Sequence, residues 1–421
     1  MAFQQGLSGL NASSKALDVI GNNVANASTV GFKLSSAHFA DVYAATLNGT
    51  GATQVGIGTM ISSVFQQFTQ GNITTTNNPL DVAINGGGFF NVTRDGLTYY
   101  TRNGQFHTDL EGYVINDEGC RLMGYPATTT GEIVPALPQP IRADTANIAP
   151  RPTGSAEGGD ARMVLNLDSS MDVPTATPFN PQNPLSYSYS TAMTVYDTLG
   201  VEHIVTYFFV KTTASSPATW ELKATLDGDP GSVEPMASLE FDTNGRLTTT
   251  PMPMTLPGNW AITTGASTPL GSGGLPNWNI DFTGTTNYAG ASTENSQYQG
   301  GYAQGALSSI SFGSDGVVLG NYSNGRSKPL AQIVLSTFPN MNGLLNIGNN
   351  LFEATSASGQ GLIGAPGAGT RGMLRPMAVE ESNTDLTTEL VNMITQQRNY
   401  QANAQTIKTQ DSIMQTLVSM R

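Results

Sequence analysis

NTDLTTELVNMITQQRNYQANAQTIKTQDSIMQTLVSMR, residues 383–421, contains no glycine and no proline. Alternating steps of four and three from Leu386 reach Leu390, Met393, Gln397, Tyr400, Ala404, Ile407, Asp411, Met414 and Val418. This is a heptad-like stripe, apolar except at Gln397 and Asp411. Asn383 or Thr384 is placed to cap the helix, and Asp385 and Glu389 fall in its first turn, where the dipole favours negative charge. Arg421 stands at the far end, where positive charge is favoured. A helix of this length spans roughly 50 Å and cannot bury one narrow stripe by itself. Near the amino terminus Phe3, Leu7, Leu10, Ser14, Leu17, Gly21 and Val24 repeat the same spacing. The two ends are therefore expected to pair as a coiled coil. The alternative is two separate amphipathic helices lying on a β-core.

The chain between the two ends has another character. Of 421 residues only 12% are charged, against about 25% in an average globular protein. The 47 glycines are enriched over the usual ~7%. Net charge is −13 and no basic cluster occurs, which argues against nucleic acid or an anionic membrane surface as partner. The single cysteine, Cys120, rules out an intramolecular disulfide framework. The first 21 residues lack a basic segment followed by a continuous apolar run, so they do not read as a cleavable secretory signal. No run of 18 apolar residues is present, so no membrane insertion is expected.

In chain order, residues 1–28 form a helix weakened by Gly6, Gly9 and Gly21, each costing up to about 1 kcal/mol relative to alanine. Residues 29–71 read as an extended connector with short strand pieces at 55–58 and 60–65. From 72 to 146 the pattern is β. Asp95-Gly96, Asn103-Gly104, Glu111-Gly112 and Glu118-Gly119 supply the positive φ that tight hairpins need. A second β-unit, 147–300, carries strands at Met163–Leu167, Ala192–Tyr196, Ile204–Val210, Trp220–Leu226, Leu239–Phe241 and Trp278–Phe282. Residues 250–277 read as a low-complexity loop. The first kind of β-sequence resumes over 301–370, and 371–382 leads back to the last helix. The expected fold is mixed and mainly β. Nested barrel- or sandwich-like β-domains (72–146 with 301–370, and 147–300 inserted) lie between terminal helices 1–28 and 383–421, with connectors 29–71 and 371–382.

Catalytic and ligand signals are weak. His38, His107 and His203 are scattered singly, outside any zinc spacing. Gly367-Ala368-Gly369-Thr370-Arg371-Gly372 fits G-x-G-x-x-G but lacks the preceding apolar strand, so it reads as linker rather than dinucleotide site. Asp109, Glu111, Asp117 and Glu118 sit among hairpin turns and read as solvated turn carboxylates rather than a calcium cluster. No enzyme activity, cofactor or metal is expected. A β-sandwich adhesin remains a rival of another class. Its mark is a surface aromatic cluster, for which Trp220, Trp260 and Trp278 are the candidates.

Three stretches resemble the axial proteins of the bacterial flagellum, the family of rod, hook and hook-associated subunits. Ser8–Lys33 contains Asn23, Asn26, Thr29, Gly31, Phe32 and Lys33 in the pattern N-x-x-N-x-x-T-x-G-[FY]-[KR]. Glu380–Asp411, with Gln397–Asn403, is similar to the family's shared ending. Tyr100–Phe106, with Asp109, Gly112 and Gly119, resembles its β-domain motif. Chain length, the insert with Val195–Gly200 and the return Gly320–Phe352 look like the hook members. Leu374–Met377 departs from their smoother Gly/Leu pattern. The resemblance implies a self-assembling structural subunit of a helical tube, the flexible universal joint between rod and filament. A distal rod or hook-associated subunit is the nearer alternative. It also implies copies of itself, the distal rod, the hook cap, the hook–filament junction proteins and the flagellar type III export apparatus as partners, and an extracellular location. Leu7, Leu10, Leu17, Val24, Leu386, Leu390, Met393, Tyr400, Ile407, Met414 and Val418 are the expected assembly residues.

Overall fold

The computed structural model describes residues 2–42, 56–128, 131–143, 147–154, 160–214, 217–249, 254–255 and 279–419. The chain divides into two compact units. The first comprises 1–145, 309–321 and 327–421, and the second 146–308 and 322–326.

In the first unit the ends are helical: α1 is Ala2–Ala25 and α2 is Leu386–Ser419. A Cβ on Gly6 would stand 3.1 Å from the Ile407 side chain, and one on Gly9 would stand 2.8 Å from that of Asn403. Further along, Asn23 Nδ2 donates to Glu389 Oε2 at 2.9 Å. As α1 numbers rise α2 numbers fall, so the helices pair antiparallel. On α1 the buried line is Gly6, Ser13, Ala16, Ile20 and Asn23, with Gly9 half-buried between. Small side chains let the second helix approach closely, which offsets the poor helix propensity of the glycines.

The helices pair, but along a line one position away from the apolar stripe of α1. Phe3 and Leu7 remain 51% and 44% exposed, while Leu10, Leu17 and Val24 are half-buried. On α2 the sheltered positions include Glu389, Met393, Gln396, Asn403 and Ile407. Met393 and Ile407 are thus half-buried, whereas Leu386, Leu390, Tyr400, Met414 and Val418 are exposed. Size and proximity are separate properties: the largest apolar residues mark one face, and the closest approach follows the smallest residues.

The connector contains a long hairpin rather than short strand pieces. β1, Ser35–Val42, pairs antiparallel with β2, Gly58–Gln66, with a bulge at His38/Phe39. Two returns then close the β-part of this unit. Ala378–Glu380 pairs with Ile73–Thr75, and Met373–Pro376 pairs with Val82–Asn85. Leu374–Met377, which departs from the hook pattern in sequence, therefore belongs largely to a strand; Met377 adopts φ 53° just after it. The large sheet runs through Val317–Tyr322, Ser327–Ile333, Arg121–Pro126, Phe89–Arg94, Leu97–Thr101 and Leu351–Glu353. Edge-to-face contacts among Phe68, Phe89, Tyr100, Phe338 and Phe352 fill one core of this unit. Asp95-Gly96 turns a hairpin with φ 54° and 81°. Asn103-Gly104 makes no hairpin. A Cβ at Gly104 would overlap the Val82 carbonyl, and Val82 N–H donates to Gly104 O at 2.9 Å, so this glycine serves a close approach of backbones.

The second unit holds two four-stranded sheets. One contains Tyr189–Tyr196, Glu202–Lys211, Thr219–Leu226 and Glu234–Glu240 in antiparallel order. The other joins Met254–Thr255, Asn279–Asp281, Ala161–Asn166 and Thr293–Gln299. Alternate residues enter a shared core that includes Met163, Leu165, Val205, Tyr207, Phe209, Trp220, Leu222, Ile280 and Phe282. Apart from the short strand Met254–Thr255, the stretch 250–277 lies outside the described residues. No described helix is long and apolar enough to cross a membrane.

Candidate functional site

The sequence motif at the end of α1 folds into an anchor. Asn23 Nδ2 donates to Ser35 O at 2.8 Å, and Ser35 N–H donates to Asn23 Oδ1 at 3.0 Å. This amide, buried in the first unit, ties α1 to β1 while its contact with Glu389 ties α1 to α2. Asn26 Nδ2 donates to Asn22 O, and Thr29 Oγ1 donates to Asn26 Oδ1, so both residues shape the turn that ends the helix. Gly31 adopts φ +74°, and any Cβ there would press on the backbone of Arg102 and Asn103. Phe32 is buried.

Lys33 then reaches the centre of the anchor. Its Nζ donates to Glu380 Oε1 and to Thr69 O, both at 2.7 Å. Arg102 Nη1 donates to Glu380 Oε2 at 3.1 Å, and Nη2 donates to Gly86 O at 2.8 Å. The guanidinium carbon lies 5.5 Å from the Phe89 ring centre. Gly71 N–H donates to Glu380 Oε1, and Gly31 N–H to Glu380 O. One carboxylate thus holds two cations with almost no solvent access. Burial pushes both the Lys33 ammonium and the Arg102 guanidinium below their ordinary pKa ranges, while Glu380 pulls each back up.

Asn383 supplies the second clamp, where the sequence suggested a helix cap. Its Oδ1 accepts Leu34 N–H, and its Nδ2 donates to Gln67 O and Thr69 Oγ1, each at 2.8 Å. It therefore grips both feet of the β1–β2 hairpin. The cap of α2 is Asp385, whose Oδ1 accepts the N–H groups of Thr387 and Thr388 at 2.9 and 3.3 Å. Those bonds, with Thr388 Oγ1 the strongest influence, hold the Asp385 carboxyl below its usual range.

Other candidate chemistry resolves into local structure. Asp109 Oδ1 accepts the N–H groups of Glu111 and Tyr113. Glu111 pairs with Arg121, Asp117 lies 3.7 Å from His107, and Glu118 accepts from Asn349. Gly367–Gly372 is closed by Gly367 N–H donating to Gly372 O, a turn leading into Met373–Pro376. Burial raises the Cys120 thiol above its ordinary pKa. Trp220 lies inside the second unit's core, and Trp260 and Trp278 fall outside the described residues.

Glu380, Arg102 and Asn383 were not singled out as site residues in the sequence. Lys33 and Glu380 are 347 positions apart, so no spacing connects them. The available signal was indirect: each of the three motif stretches contributes one charged residue to the cluster.

Four family models match the chain in succession. They are Flagella basal body rod protein over residues 3–33, Flagellar hook protein FlgE/F/G D1 domain over 83–154, Flagellar basal body protein FlaE D2 domain over 166–302, and Flagellar basal body rod FlgEFG protein C-terminal over 376–420. The chain is 41% identical over 427 residues to the flagellar hook protein FlgE of Escherichia coli (strain K12), with 100% of each covered. It is 40% identical over 428 residues to that of Salmonella typhimurium, again with 100% of each covered. It is 29% identical over 444 residues to that of Borreliella burgdorferi, covering 100% of this chain and 99% of the relative. Lys33, Arg102 and Glu380 fall in three different matched segments.

Proposed function

The chain belongs to the flagellar hook protein family, and from that membership we propose how its parts build a hook. It is a structural subunit of the bacterial flagellar hook, an extracellular tube that assembles from copies of itself and acts as a flexible joint in motility. The family is structural, not enzymatic.

The terminal helices are the assembly device. The observation that carries this reading is that α1 turns a line including Gly6, Gly9, Ser13 and Ala16 toward α2, while both helices leave large apolar residues exposed. Phe3 and Leu7 on α1, and Leu386, Leu390, Val391, Ile394, Met414 and Val418 on α2, stay open to solvent in the single chain. A lone helix pair would not retain so many; neighbours cover them. Helices 1–28 and 383–421 then form the inner tube, 72–146 with 301–370 the inner β-domain, and 147–300 the outer one. The anchor of Lys33, Arg102 and Glu380 holds the connector segments 29–71 and 371–382 against the inner β-domain, so torque passes through a buried ionic joint. The further partners are the distal rod, the hook cap, the hook–filament junction proteins and the flagellar type III export apparatus.

The test is charge insertion on the outer set. Leu7→Glu and Ile394→Glu are expected to leave the monomer's thermal melt near that of the parent while abolishing tubes in negative-stain microscopy under polymerising salt. Tubes from both variants would remove the helices from the assembly contact.

A further inference from the structure

The pattern [ST]-N-G-R occurs twice in the second unit, at Thr243–Arg246 and at Ser323–Arg326, and both copies fold into the same turn. Gly245 N–H donates to Asp242 O, and Gly325 N–H to Tyr322 O, each at 3.0 Å. Asp242 N–H donates to Arg246 O, and Tyr322 N–H to Arg326 O, each at 2.9 Å. The two glycines adopt φ 73° and 75°. The backbones match bond for bond, but the asparagine side chains do not. Asn324 is half-buried; its Nδ2 donates to Ala303 O at 2.7 Å and its Oδ1 accepts Arg326 N–H at 3.1 Å. Asn244 is exposed, and only its main-chain N–H is bonded, to Asp242 Oδ1.

We infer that Asn244-Gly245 is a site of spontaneous covalent modification, where asparagine becomes aspartate and isoaspartate, and that the same pair at Asn324-Gly325 is protected. The Gly245 main-chain nitrogen gives its proton to solvent and attacks Asn244 Cγ. The N–Cγ bond forms, the Cγ–Nδ2 bond breaks and ammonia leaves, closing a five-membered succinimide. Water then opens the ring at either carbonyl. One opening gives aspartate; the other gives isoaspartate, whose main chain runs through the former side chain. Glycine leaves the attacking nitrogen unshielded, and the fold requires glycine here. At φ 73° other residues are strained, and a Cβ on Gly245 would stand 2.7 Å from Asn287 O. The remaining described Asn-Gly pairs are less open to the reaction. Asn85 Oδ1 accepts from Gln70 and Asn103 Oδ1 from Gln105 N–H. Asn342 lies in the helical turn Met341–Gly343, where a side chain leans back from the following amide.

The modified turn is one that joins the two sheets of the unit. Gly245 O accepts Asn287 N–H at 2.8 Å, and Arg246 bridges to Thr286. Thr286 N–H donates to Leu165 O and Leu167 N–H to Thr286 O, both at 2.9 Å, while Asn287 Nδ2 donates to Leu167 O. Isoaspartate lengthens the main chain by one carbon immediately before Gly245, so it displaces the carbonyl that holds Asn287. The product accumulates with the age of each copy and loosens this link between sheets. The chemistry lies within the second unit and does not depend on assembly.

The full chain is held in warm, mildly alkaline buffer, sampled over time, digested and read by mass spectrometry for the exchange of NH2 for OH. Enzymatic methylation scores isoaspartate. Conversion at Asn244 is expected to run about tenfold or more ahead of Asn324, because two hydrogen bonds must break only at the latter. In chain unfolded by guanidinium chloride the two sites are expected to convert alike, since their sequences match. Asn324 keeping pace with Asn244 in the folded chain would overturn the assignment, and so would an Asn244 that converts only when unfolded. Hydrogen exchange tests the consequence. The aged parent is expected to lose protection at the Asn287 amide, and aged Asn244→Gln, whose longer side chain closes a ring far more slowly, is expected to keep it. Unchanged protection after conversion of the parent would overturn the loosening of the sheets.

Discussion

Lys33 and Glu380, 347 positions apart, meet at 2.7 Å with both side chains wholly excluded from solvent. Glu380 alone balances Lys33 and Arg102, so the three are not equivalent. Removing the carboxylate strands two buried cations, and removing Lys33 leaves one intact pair. Glu380→Gln is expected to destabilise the first unit by about 3–5 kcal/mol, and Lys33→Met by clearly less. Denaturant titration of the two variants checks the order. Equal losses would show that the cluster is not organised around Glu380.

The same cluster sets a pH dependence. Burial lowers the Lys33 pKa below 10.5, so through the window beneath 10.5 the unfolded chain holds more protons than the folded one. The contribution of this group to stability is fully present above 10.5 and is lost as pH falls through the depressed folded value. The difference in stability between parent and Lys33→Met should therefore move in favour of the parent as pH rises toward 10.5. Paired urea melts at several alkaline pH values measure it, and a difference that moves the other way contradicts the lowered pKa.

Asp385 gives the opposite end of the scale. Its carboxylate caps α2 and is held below 3.8 by bonds from Thr388 and Thr387. A depressed acid contributes stability above its unfolded pKa and loses it as pH falls through the folded value. The protection of the Thr387 and Thr388 amides against deuterium exchange, taken relative to the unfolded chain at the same pH, should hold above the unfolded carboxyl value of about 3.8 and fall as pH drops below it through the depressed folded value. Asp385→Asn should keep the cap and lose the pH response, while Asp385→Ala loses both.

How far each of these features could be read from sequence depended on whether its cause was local. Helix α2 was legible because apolar residues recur at four-three spacing from Leu386 to Val418 and no glycine or proline interrupts those 39 residues. Asp95-Gly96 was legible because positive φ has a residue signature. The line of contact on α1 was not, since Gly6, Gly9, Ser13 and Ala16 carry no apolar signal and matter only for how near α2 comes. β1 was missed because SSAHFADV mixes polar residues into a half-exposed ribbon, and Thr293–Gln299 because six of its seven residues face solvent. Asn103-Gly104 was misread as a hairpin because a glycine that admits a neighbouring carbonyl looks the same as one that turns a chain. The anchor was illegible for the same kind of reason: Lys33 stood in a recognised motif, but its counter-ion lay at the other end of the chain.

The small-residue line between the helices can be tested by compensation. A Cβ on Gly9 would come within 2.8 Å of both terminal atoms of Asn403, and that amide must then move. Alanine raises intrinsic helix propensity by about 1 kcal/mol over glycine, so Gly9→Ala brings opposing effects. With Asn403 present, the crowding should absorb most of the gain. In the Asn403→Ala background the space is vacant, and the same substitution should stabilise the pair by close to the full propensity difference. Gly9→Val, which adds bulk beyond the Cβ and a β-branched penalty, should part the helices in either background. Thermal melts of the four combinations of Gly9→Ala and Asn403→Ala form a double-mutant cycle. A coupling near zero would mean that α1 and α2 do not touch along this line, and the antiparallel register built from Gly6, Gly9 and Asn23 would have to be redrawn.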